Sequence, residues 1–558
     1  MTESITFTGL GSGIDLSSIV KALVDNEKER FVTPIKNWKT SWEDKITAFQ
    51  ELNTKLSSLT TTVKSLDTPA EFLIKTASVS DSYVLSATAE SSAFNGTTTI
   101  TVNQLAQSEK EIHSGHPDSS STAVTTVAGT FSYTYNGTNR SLSVAAGTTL
   151  TQLAQIINND PQNPGVNASV LDDGSGTATA YHLVLSGTST GASYTITSIS
   201  HTLNNFATGG GSGGGFDETQ TAQNAQFKID GYPTSGWIER TSNTISDALT
   251  GITFTLKDIG TATITVSPDT EAIKENITKF VNSFNEIRKY IKEKTAFKTT
   301  TNEAGILLGN YAVDTIKNRL NAIVATTPLG FRDGYDTYVN LMQIGITTDA
   351  TEGSETEGLL IIDTATLDEA LSQNPDAVAH LFSAYFSGRS AHASLSYESY
   401  IDGITVAGTY EISFTTGSPP TAKIRLKGTT EWHDAVWDNA TQTITGAAGY
   451  PEAGLVVKVT DTSSSFTGEV DLQRGLAGVL KEELELLTDS DEGPLAVLED
   501  NYNSIIKSAD DKIAFEEKRI ALYEKRLKER YARLEALLGE LNSQMSYLSM
   551  RVQQFTKS

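Results

Sequence analysis

The sequence predicts an α+β multidomain protein in which long terminal helices form an antiparallel coiled-coil stem that carries nested β-rich head domains. Heptad patterns near both ends of the chain and alternating apolar and polar residues between them support this prediction. The length of 558 residues is sufficient for about three or four domains, each with its own core.

Charge and composition exclude several classes of function. A net charge of −25 disfavours binding to nucleic acid or to anionic membrane surfaces. No apolar run is long enough for a transmembrane helix, and the first basic residue is Lys21, so we expect neither a membrane span nor a cleaved signal peptide. The absence of cysteine excludes disulfides and thiol chemistry. Two hypotheses remain open: an acidic cytosolic protein, or one exported by a route that needs no signal peptide.

The N-terminal segment GLGSGIDLSSIVKALV (9–24) places glycines before an apolar stretch, as a phosphate-binding loop does. The glycine spacing fits neither a dinucleotide-binding fingerprint nor a P-loop, and no lysine–serine or lysine–threonine pair follows. We predict instead a flexible leader and a short helix capped by Asp15, with Ile14 and Ile19 as a hydrophobic staple. Because an isolated helix of this length is marginally stable, we expect it to order only on a partner.

Heptads at 35–66 and 495–555 predict the stem. Its predicted core residues are Ile35, Trp38, Trp42, Phe49, Leu52, Leu56, Leu59, Val63, Ile513, Ile520, Leu527 and Leu534. The two helices are expected to pack on each other, although each could pair with another chain. The C-terminal heptads extend beyond what the first helix can cover, so their stripe is expected to meet another chain or the N-terminal segment of this one. Both termini are therefore predicted to serve assembly.

Between the stem helices the apolar period changes to two, which predicts strands at 97–102, 181–186, 251–258 and 261–266. The segment TGGGSGGGF (208–216) predicts a flexible hinge or exposed loop. Helical spacing predicts helices at 269–294, 310–324 and 363–382, and 387–471 again alternates like strands. The predicted domains are a flexible N-terminal leg (1–34), the coiled-coil stem (35–66 and 495–558), a β-rich head domain (67–112 and 216–268), an outer β-rich head domain (113–207), a helical base of the head (269–386 and 472–494) and a β-like insert (387–471).

Candidate catalytic and metal-binding motifs are weak. His113 and His116 lie three residues apart but lack further ligands, so we predict a surface pair rather than a metal site. LDDGSG (171–176) lacks the downstream glutamate of a calcium loop and predicts a turn. No nucleophile–base arrangement is recognisable. The prediction is a non-enzymatic protein without catalytic residues, cofactor or metal.

Several segments, taken in order, resemble the bacterial flagellar filament cap family, the flagellar hook-associated protein 2 family. They cover most of the chain, and their common order is specific. The segments are GLGSGIDLSSIVKALVDNEKERFVTPI, TTTITVNQLAQSEK, TTLTQLAQIINNDPQNPGVNASVLDDGSG, NAQFKIDG, TSNTISDALTGITFTLKDIG, LMQIGITTD, GLLIIDTATLDEALSQNPDAVAHLF and LNSQMSYLSMRVQQF. The insert at 387–471 is larger than the family pattern leads us to expect.

The resemblance implies a homo-oligomeric ring, most often a pentamer, at the distal tip of the flagellum. It would guide flagellin into the filament and prevent its escape. Implied partners are flagellin, the hook–filament junction proteins, an export chaperone and other copies of the chain, with no nucleic acid and no membrane. The implied location is extracellular, reached through the flagellar type III export channel. The implied filament contacts are Leu10, Ile14, Ile19, Leu23, Leu541, Met545, Leu548, Val552 and Phe555.

A cell-surface adhesin, with a coiled-coil stem and a binding tip made of β domains, is the alternative. On the cap hypothesis the glycine run at 9–13 is a hinge that binds no phosphate. The copy number of the ring and the role of the insert stay open.

Overall fold

The computed structural model describes residues 15–298 and 302–556, without the side chains of 554–556. The described chain divides into two compact units: Leu73–Ile273, which we call the β unit, and the residues on either side, which we call the stem unit. The combination of helices and antiparallel sheets confirms the predicted α+β class. No helix in this part of the chain combines the length and apolar character that crossing a membrane requires.

The described residues form ten α-helices and one short 3₁₀ helix at Leu341–Ile344. The α-helices are α1 (Leu16–Phe31), α2 (Thr33–Lys64), α3 (Pro69–Phe72), α4 (Leu150–Asn158), α5 (Thr270–Thr295), α6 (Tyr311–Ala325), α7 (Thr364–Gln373), α8 (Pro375–Ser383), α9 (Leu476–Leu487) and α10 (Pro494–Thr556). The predicted long helices are therefore confirmed, with one correction: 363–382 forms two helices. Asn374 ends α7 and also caps α8, whose first residue is Pro375, because proline has no N–H to continue the helical bonding.

The β unit contains two layers of sheet around one core and a second pair of sheets around another. The first core lies between the five-stranded sheet β1–β15–β3–β11–β12 and the three-stranded sheet β13–β14–β2. These strands are β1 (Lys75–Val79), β2 (Leu85–Ala89), β3 (Gly96–Gln104), β11 (Ala225–Ile229), β12 (Ile238–Arg240), β13 (Thr244–Leu249), β14 (Ile252–Leu256) and β15 (Gly260–Pro268). Strands β3, β14 and β15 confirm three of the predicted strands.

The second core of the β unit is covered by sheets β10–β4–β8–β7 and β6–β5–β9, with α4 packed on it. The strands are β4 (Lys110–His113), β5 (Gly129–Tyr135), β6 (Thr138–Val144), β7 (Val166–Asp172), β8 (Tyr181–Gly187), β9 (Ile196–His201) and β10 (Phe216–Gln220). Strand β8 confirms a fourth prediction. Helix α4 begins with a capping box, in which Thr149 and Gln152 each bond the other's backbone N–H.

Of two expectations about this second core, the surface histidine pair is wrong, whereas the exposed glycine-rich loop is confirmed for 208–211 and wrong for 215–216, which are buried. His113 and His116 are buried rather than on the surface, and the His113 ring stacks on Phe206 with 3.6 Å between centroids. The glycine-rich segment packs against that ring: the ring nitrogens of His113 and His201 both reach the carbonyl of Ala207, and Ser114 N–H donates to Gly215 O. Glycine is needed here for close packing, because a Cβ on Gly215 would lie 2.6 Å from His113 Nε2.

In the stem unit, one sheet carries eight antiparallel strands in the order β20–β27–β22–β23–β24–β25–β26–β21. They are β20 (Tyr385–Ser390), β21 (Leu395–Ser399), β22 (Gly408–Thr415), β23 (Thr421–Leu426), β24 (His433–Asp438), β25 (Thr443–Thr445), β26 (Val456–Val459) and β27 (Phe466–Arg474). We call this the eight-stranded sheet; it spans the segment predicted as an insert. Four short strands complete the stem unit: β16 (Phe297–Lys298) pairs with β17 (Glu303–Ala304), and β18 (Ile346–Thr348) with β19 (Leu360–Ile362).

A buried ionic cluster ties the eight-stranded sheet to the loop that follows α6. Asp471 of β27 is fully buried and accepts from Arg332 at 2.8 Å and from Arg389 at 2.7 Å. Arg389 also pairs with Asp336 at 2.7 Å. Because removing one member would leave a buried charge uncompensated, this cluster fixes where the sheet meets the loop.

Candidate assembly surface

Helices α1 and α2 pack antiparallel to α10. Across the interface Glu27 pairs with Arg519 at 3.3 Å, Lys36 with Glu517 at 3.1 Å and Lys39 with Asp510 at 2.7 Å. Residue numbers rise on one side as they fall on the other, as antiparallel helices require. Solvent-exposed pairs of this kind add little stability, but their positions are consistent with a single register.

The apolar seam beneath these pairs begins with α1. Val20, Val24 and Val32 form one buried cluster with three residues of α10, Ile513, Ile520 and Leu527. The expectation that the N-terminal helix orders only on a partner is therefore wrong for Leu16–Phe31. Its own chain supplies the apolar surface that a helix of this length needs. Asp15 caps it as predicted: its carboxylate accepts from the Ser17 hydroxyl at 2.7 Å and from the N–H groups of Ser17 and Ser18, and these hydrogen bonds, that of the Ser17 hydroxyl first, lower the pKa of this carboxyl.

An aromatic group extends the seam toward the first residues of α10. The ring of Tyr502 lies 4.7 Å from that of Trp42 and 5.4 Å from that of Phe49, and Lys45 Nζ lies 4.2 Å from the Trp42 ring. The sequence analysis missed Tyr502. Residues 502, 509, 516 and 523 stand seven apart and form the second line of the seam, but this line includes Ala509 and Glu516, so it does not look apolar.

The structure buries most of the predicted stem-core residues. The buried ones are Phe49, Leu52, Leu56, Leu59, Val63, Ile513, Ile520 and Leu527, and Ile35 and Trp42 are partly buried. The prediction that Trp38 and Leu534 belong to the stem core is wrong, because their side chains are 48% and 43% exposed. Next to Trp38, the side chain that reaches α10 is that of Lys39, which pairs with Asp510. Leu534 lies beyond the part of α10 that the described α1 covers.

The last turns of α10, residues 534–556, extend past α1, and we call them the overhang. On one face Leu541, Met545, Leu548 and Val552 follow at helical spacing and are 48% to 67% exposed. Between Leu541 and Val552 the only charged residue is Arg551. The overhang therefore offers an apolar stripe on a nearly uncharged helix, unlike the charged middle of α10.

The heptad pattern of α10 gains one residue at Leu527. Before it, the second seam residue follows the first by three positions, as Tyr523 follows Ile520; after it, by four, as Tyr531 follows Leu527 and Met545 follows Leu541. Because a strict heptad drifts by about 20° per repeat on a straight helix, the added residue returns the stripe toward the side that α1 covers. Tyr523 and Tyr531 accordingly both pack against the cluster that α1 forms with α10.

Of the other predicted filament contacts, Ile19 and Leu23 lie on the outer side of α1 and are partly exposed. Leu10, Ile14 and the glycine run at 9–13 fall outside the described residues, as does the side chain of Phe555. No set of three histidine, aspartate or glutamate side chains in residues 15–298 and 302–556 is arranged to hold a metal ion. The exposed apolar residues of α1 and the overhang are arranged as a surface for assembly.

Comparison with known proteins decides the family. The model of the flagellar hook-associated protein 2 C-terminus matches residues 222–543, more than half of the chain, and that of the N-terminus matches residues 12–109. The chain belongs to the flagellar hook-associated protein 2 family. This confirms the resemblance seen in the sequence. A third model, the flagellin hook IN motif, matches residues 130–189 of this family member.

Named relatives agree with the family assignment. Flagellar hook-associated protein 2 of Escherichia coli K12 is 31% identical over 395 residues, covering 68% of this chain and 80% of the relative. The A-type protein of Pseudomonas aeruginosa is 29% identical over 404 residues, covering 68% and 81%. A crystal structure of the D1–D2–D3 domains of the E. coli flagellar cap protein matches with 28% identity and a TM-score of 0.48, over 60% of this chain and 90% of that one. The adhesin alternative gains no support from these relatives.

Proposed function

We propose that this chain caps the distal tip of the bacterial flagellar filament, where it promotes ordered addition of flagellin and prevents its escape, without covalent chemistry. Membership of the flagellar hook-associated protein 2 family supports this function. The structural observation that carries it is the overhang of α10, an exposed apolar stripe on a helix that its own chain holds at the other end.

The chemistry of the overhang suits a contact that must be broken and remade. A cap has to shift each time a subunit is added beneath it. Burying one aliphatic side chain stabilises a contact by roughly 1.5–3 kcal/mol. Apolar contacts are not directional, so residues repeated along one face can move from one site to an equivalent one without losing a fixed hydrogen-bond pattern.

The partners of the proposed cap follow from the family. We predict a homo-oligomeric ring, with five copies as the expected number, that contacts flagellin and the hook–filament junction proteins. An export chaperone and the flagellar type III route would bring it to the cell exterior. Ile19 and Leu23 of α1 are predicted to join the overhang in these contacts.

The test compares two charge-adding variants of the overhang. Met545→Glu/Leu548→Glu places two carboxylates on the apolar stripe, and Ser543→Glu/Ser546→Glu places the same charge on the opposite side of the helix. In a strain that lacks its own cap gene, we expect the first variant to release unpolymerised flagellin into the medium and to leave short or absent filaments. The second variant should restore filaments of ordinary length.

Circular dichroism of both purified variants checks that the helical content is unchanged, and immunoblots check that both are exported equally. If the stripe variant is folded and exported and still restores full filaments, the overhang does not carry the capping contact.

A further inference from the structure

Three loops of the eight-stranded sheet meet at one end and border a cavity of about 530 Å³ that is open to solvent. They are the β22–β23 turn (416–420), the β24–β25 turn (439–442) and the β26–β27 connection (460–465). Every second turn of an antiparallel meander lies at the same end of the sheet, so the order of strands places these loops together. The cavity is remote in sequence from the stem, and the capping function does not use it.

An indole forms part of the cavity wall. Trp437, the penultimate residue of β24, lines the cavity, and its ring packs on Phe414 with 5.3 Å between centroids. An aromatic face carries partial negative charge and attracts the polarised C–H groups of a flat, hydroxylated ring. A single aromatic surface surrounded by polar groups is typical of a site for a small polar ligand.

The remaining lining is uncharged and mixed. The polar residues are Asn439, Gln442, Thr416, Ser418 and Thr462, and Gly417, Pro419 and Pro420 complete it. Side-chain amides supply both donors and acceptors, and hydroxyls supply either. Asn439 and Gln442 are exposed, and within residues 15–298 and 302–556 their amides make no hydrogen bond to another protein group, so a ligand would replace only water there.

The two carboxylates near the cavity accept hydrogen bonds within their own turns. Asp438 and Asp461 flank the loops, but each accepts from a backbone N–H of its own turn, that of Ala440 at 2.8 Å and that of Ser463 at 2.9 Å. Among the residues that the structure describes, no lysine, arginine or histidine lines the cavity. Without a cation, the site cannot compensate a phosphate, sulfate or carboxylate, which favours a neutral ligand.

Backbone strain marks the same loop. Gln442 has φ of +58°, the left-handed region that glycine or asparagine adopts at lower cost. Its carbonyl accepts from Val459 N–H at 2.9 Å, which holds this conformation. A glutamine kept in a strained conformation beside a cavity is consistent with a role for its amide in binding.

We propose that this cavity binds a neutral oligosaccharide, with a sugar ring stacked on Trp437 and its hydroxyls bonded by Asn439 and Gln442. The indole supplies the apolar contact, the two amides supply direction, and the lack of cations excludes acidic sugars. This site goes beyond the capping function and does not depend on it.

The test measures binding of the full-length chain to defined tetrasaccharides by isothermal titration calorimetry. The probes are maltotetraose, cellotetraose, tetra-N-acetylchitotetraose and, as an acidic comparison, tetragalacturonic acid. We expect at least one neutral probe to bind and the acidic one not to bind. Asn439→Ala/Gln442→Ala should weaken binding at least tenfold, and Trp437→Phe should also weaken it.

The matched control is Trp432→Phe, which changes a tryptophan of the same sheet that packs on Arg425 and does not line the cavity. Its binding should equal that of the unmodified chain. Failure of all neutral probes to bind, tighter binding of the acidic probe, or equal binding by the Asn439→Ala/Gln442→Ala variant would each overturn the proposal.

A neutral saccharide could be free polysaccharide or could be attached to the protein's own filaments. Filaments shed by the source strain, with and without periodate oxidation of their sugar diols, distinguish the two. If the filaments retain the unmodified chain but not the Asn439→Ala/Gln442→Ala variant, and if periodate abolishes this retention, the saccharide is attached to the filaments. Binding to the neutral tetrasaccharides without retention identifies free polysaccharide. Retention of both proteins after periodate shows a protein contact and contradicts the proposal.

Discussion

At the scale of single residues, one strand buries three titratable groups. Glu109, just before β4, and Glu111 and His113 within it alternate along the strand and all face the second core. Burial raises the pKa of Glu109 to about 7 and raises that of Glu111, and burial lowers the pKa of His113 to about 4. His113 Nε2 faces the Ala207 carbonyl while Nδ1 accepts from Gly115 N–H, which assigns a neutral ring with the proton on Nε2.

The raised pKa of Glu109 predicts a pH dependence with a defined sign. The folded chain keeps this proton up to about pH 7 and the unfolded chain loses it near pH 4.5, so the contribution of Glu109 to stability falls as pH rises between these values. Glu109→Gln retains an acceptor for Ile196 N–H and cannot ionise. Relative to the unmodified chain it should gain up to about 3 kcal/mol between pH 5 and pH 8.

Hydrogen exchange of β4 and β8 at both pH values measures this gain, and exposed Glu90→Gln in the same unit is the control. An equal effect of Glu109→Gln at pH 5 and pH 8 would contradict a raised pKa.

Gly215 supplies a second prediction at the residue scale. Its φ is +84°, and a Cβ there would collide with the Ala207 carbonyl oxygen and the His113 ring. Gly215→Ala should therefore destabilise the second core by about 2 kcal/mol or more. Gly209→Ala, in the same segment but with no atom within 4 Å of its Cβ, should change stability little. Denaturant unfolding followed by tyrosine fluorescence compares them; similar losses would show that the segment is not closely packed.

At the scale of elements, α1 is a helix of 16 residues that depends on α10. A helix this short gains most of its stability from packing rather than from its own hydrogen bonds. Residues Val20 and Val24 therefore hold the first turns only as long as Ile520 and its neighbours are present.

Ile520→Ala should remove this support. Ile520 is 1% exposed, and truncating a buried isoleucine costs about 2–5 kcal/mol. We expect hydrogen exchange across Leu16–Phe31 to accelerate by a hundredfold or more. The control Leu522→Ala, two residues away on the exposed side of α10, should leave exchange unchanged. Unchanged exchange in Ile520→Ala would show that α1 does not rely on this seam.

At the scale of the whole molecule, the eight-stranded sheet is inserted between two residues that lie side by side. Tyr385 and Arg474 are paired across β20 and β27, so the chain leaves and re-enters the helical part of the stem unit at one place. A domain with adjacent ends can be removed without stretching the remainder.

Replacing residues 387–471 with a short Gly-Ser linker should therefore leave the stem unit helical and the capping activity in place. The same deletion should abolish oligosaccharide binding. Arg332 would lose Asp471, but it would then face water rather than a buried site. Filament length and circular dichroism measure the outcome; loss of filaments with intact helices would show that the sheet takes part in capping.

The fold class, the long helices, four individual strands, the strand-rich character of 387–471 and the family could all be inferred from the sequence alone. Heptad and alternating periods are local properties that follow from the geometry of helix and strand, so Ile513, Ile520 and Leu527 could be assigned to a seam without a structure. The break between α7 and α8 at Asn374 and Pro375 also has a local cause, although the spacing of apolar residues alone does not reveal it.

Only the tertiary structure decided which partners these elements meet. The burial of His113 and His116, the packing of the glycine-rich segment, the place of Tyr502 and the exposure of Trp38 depend on residues distant in sequence. So does the cavity beside Trp437, because its three loops meet only when the strands are ordered in a sheet. Periodicity specifies which face of an element is apolar, whereas its partner is set by the packing of the whole chain.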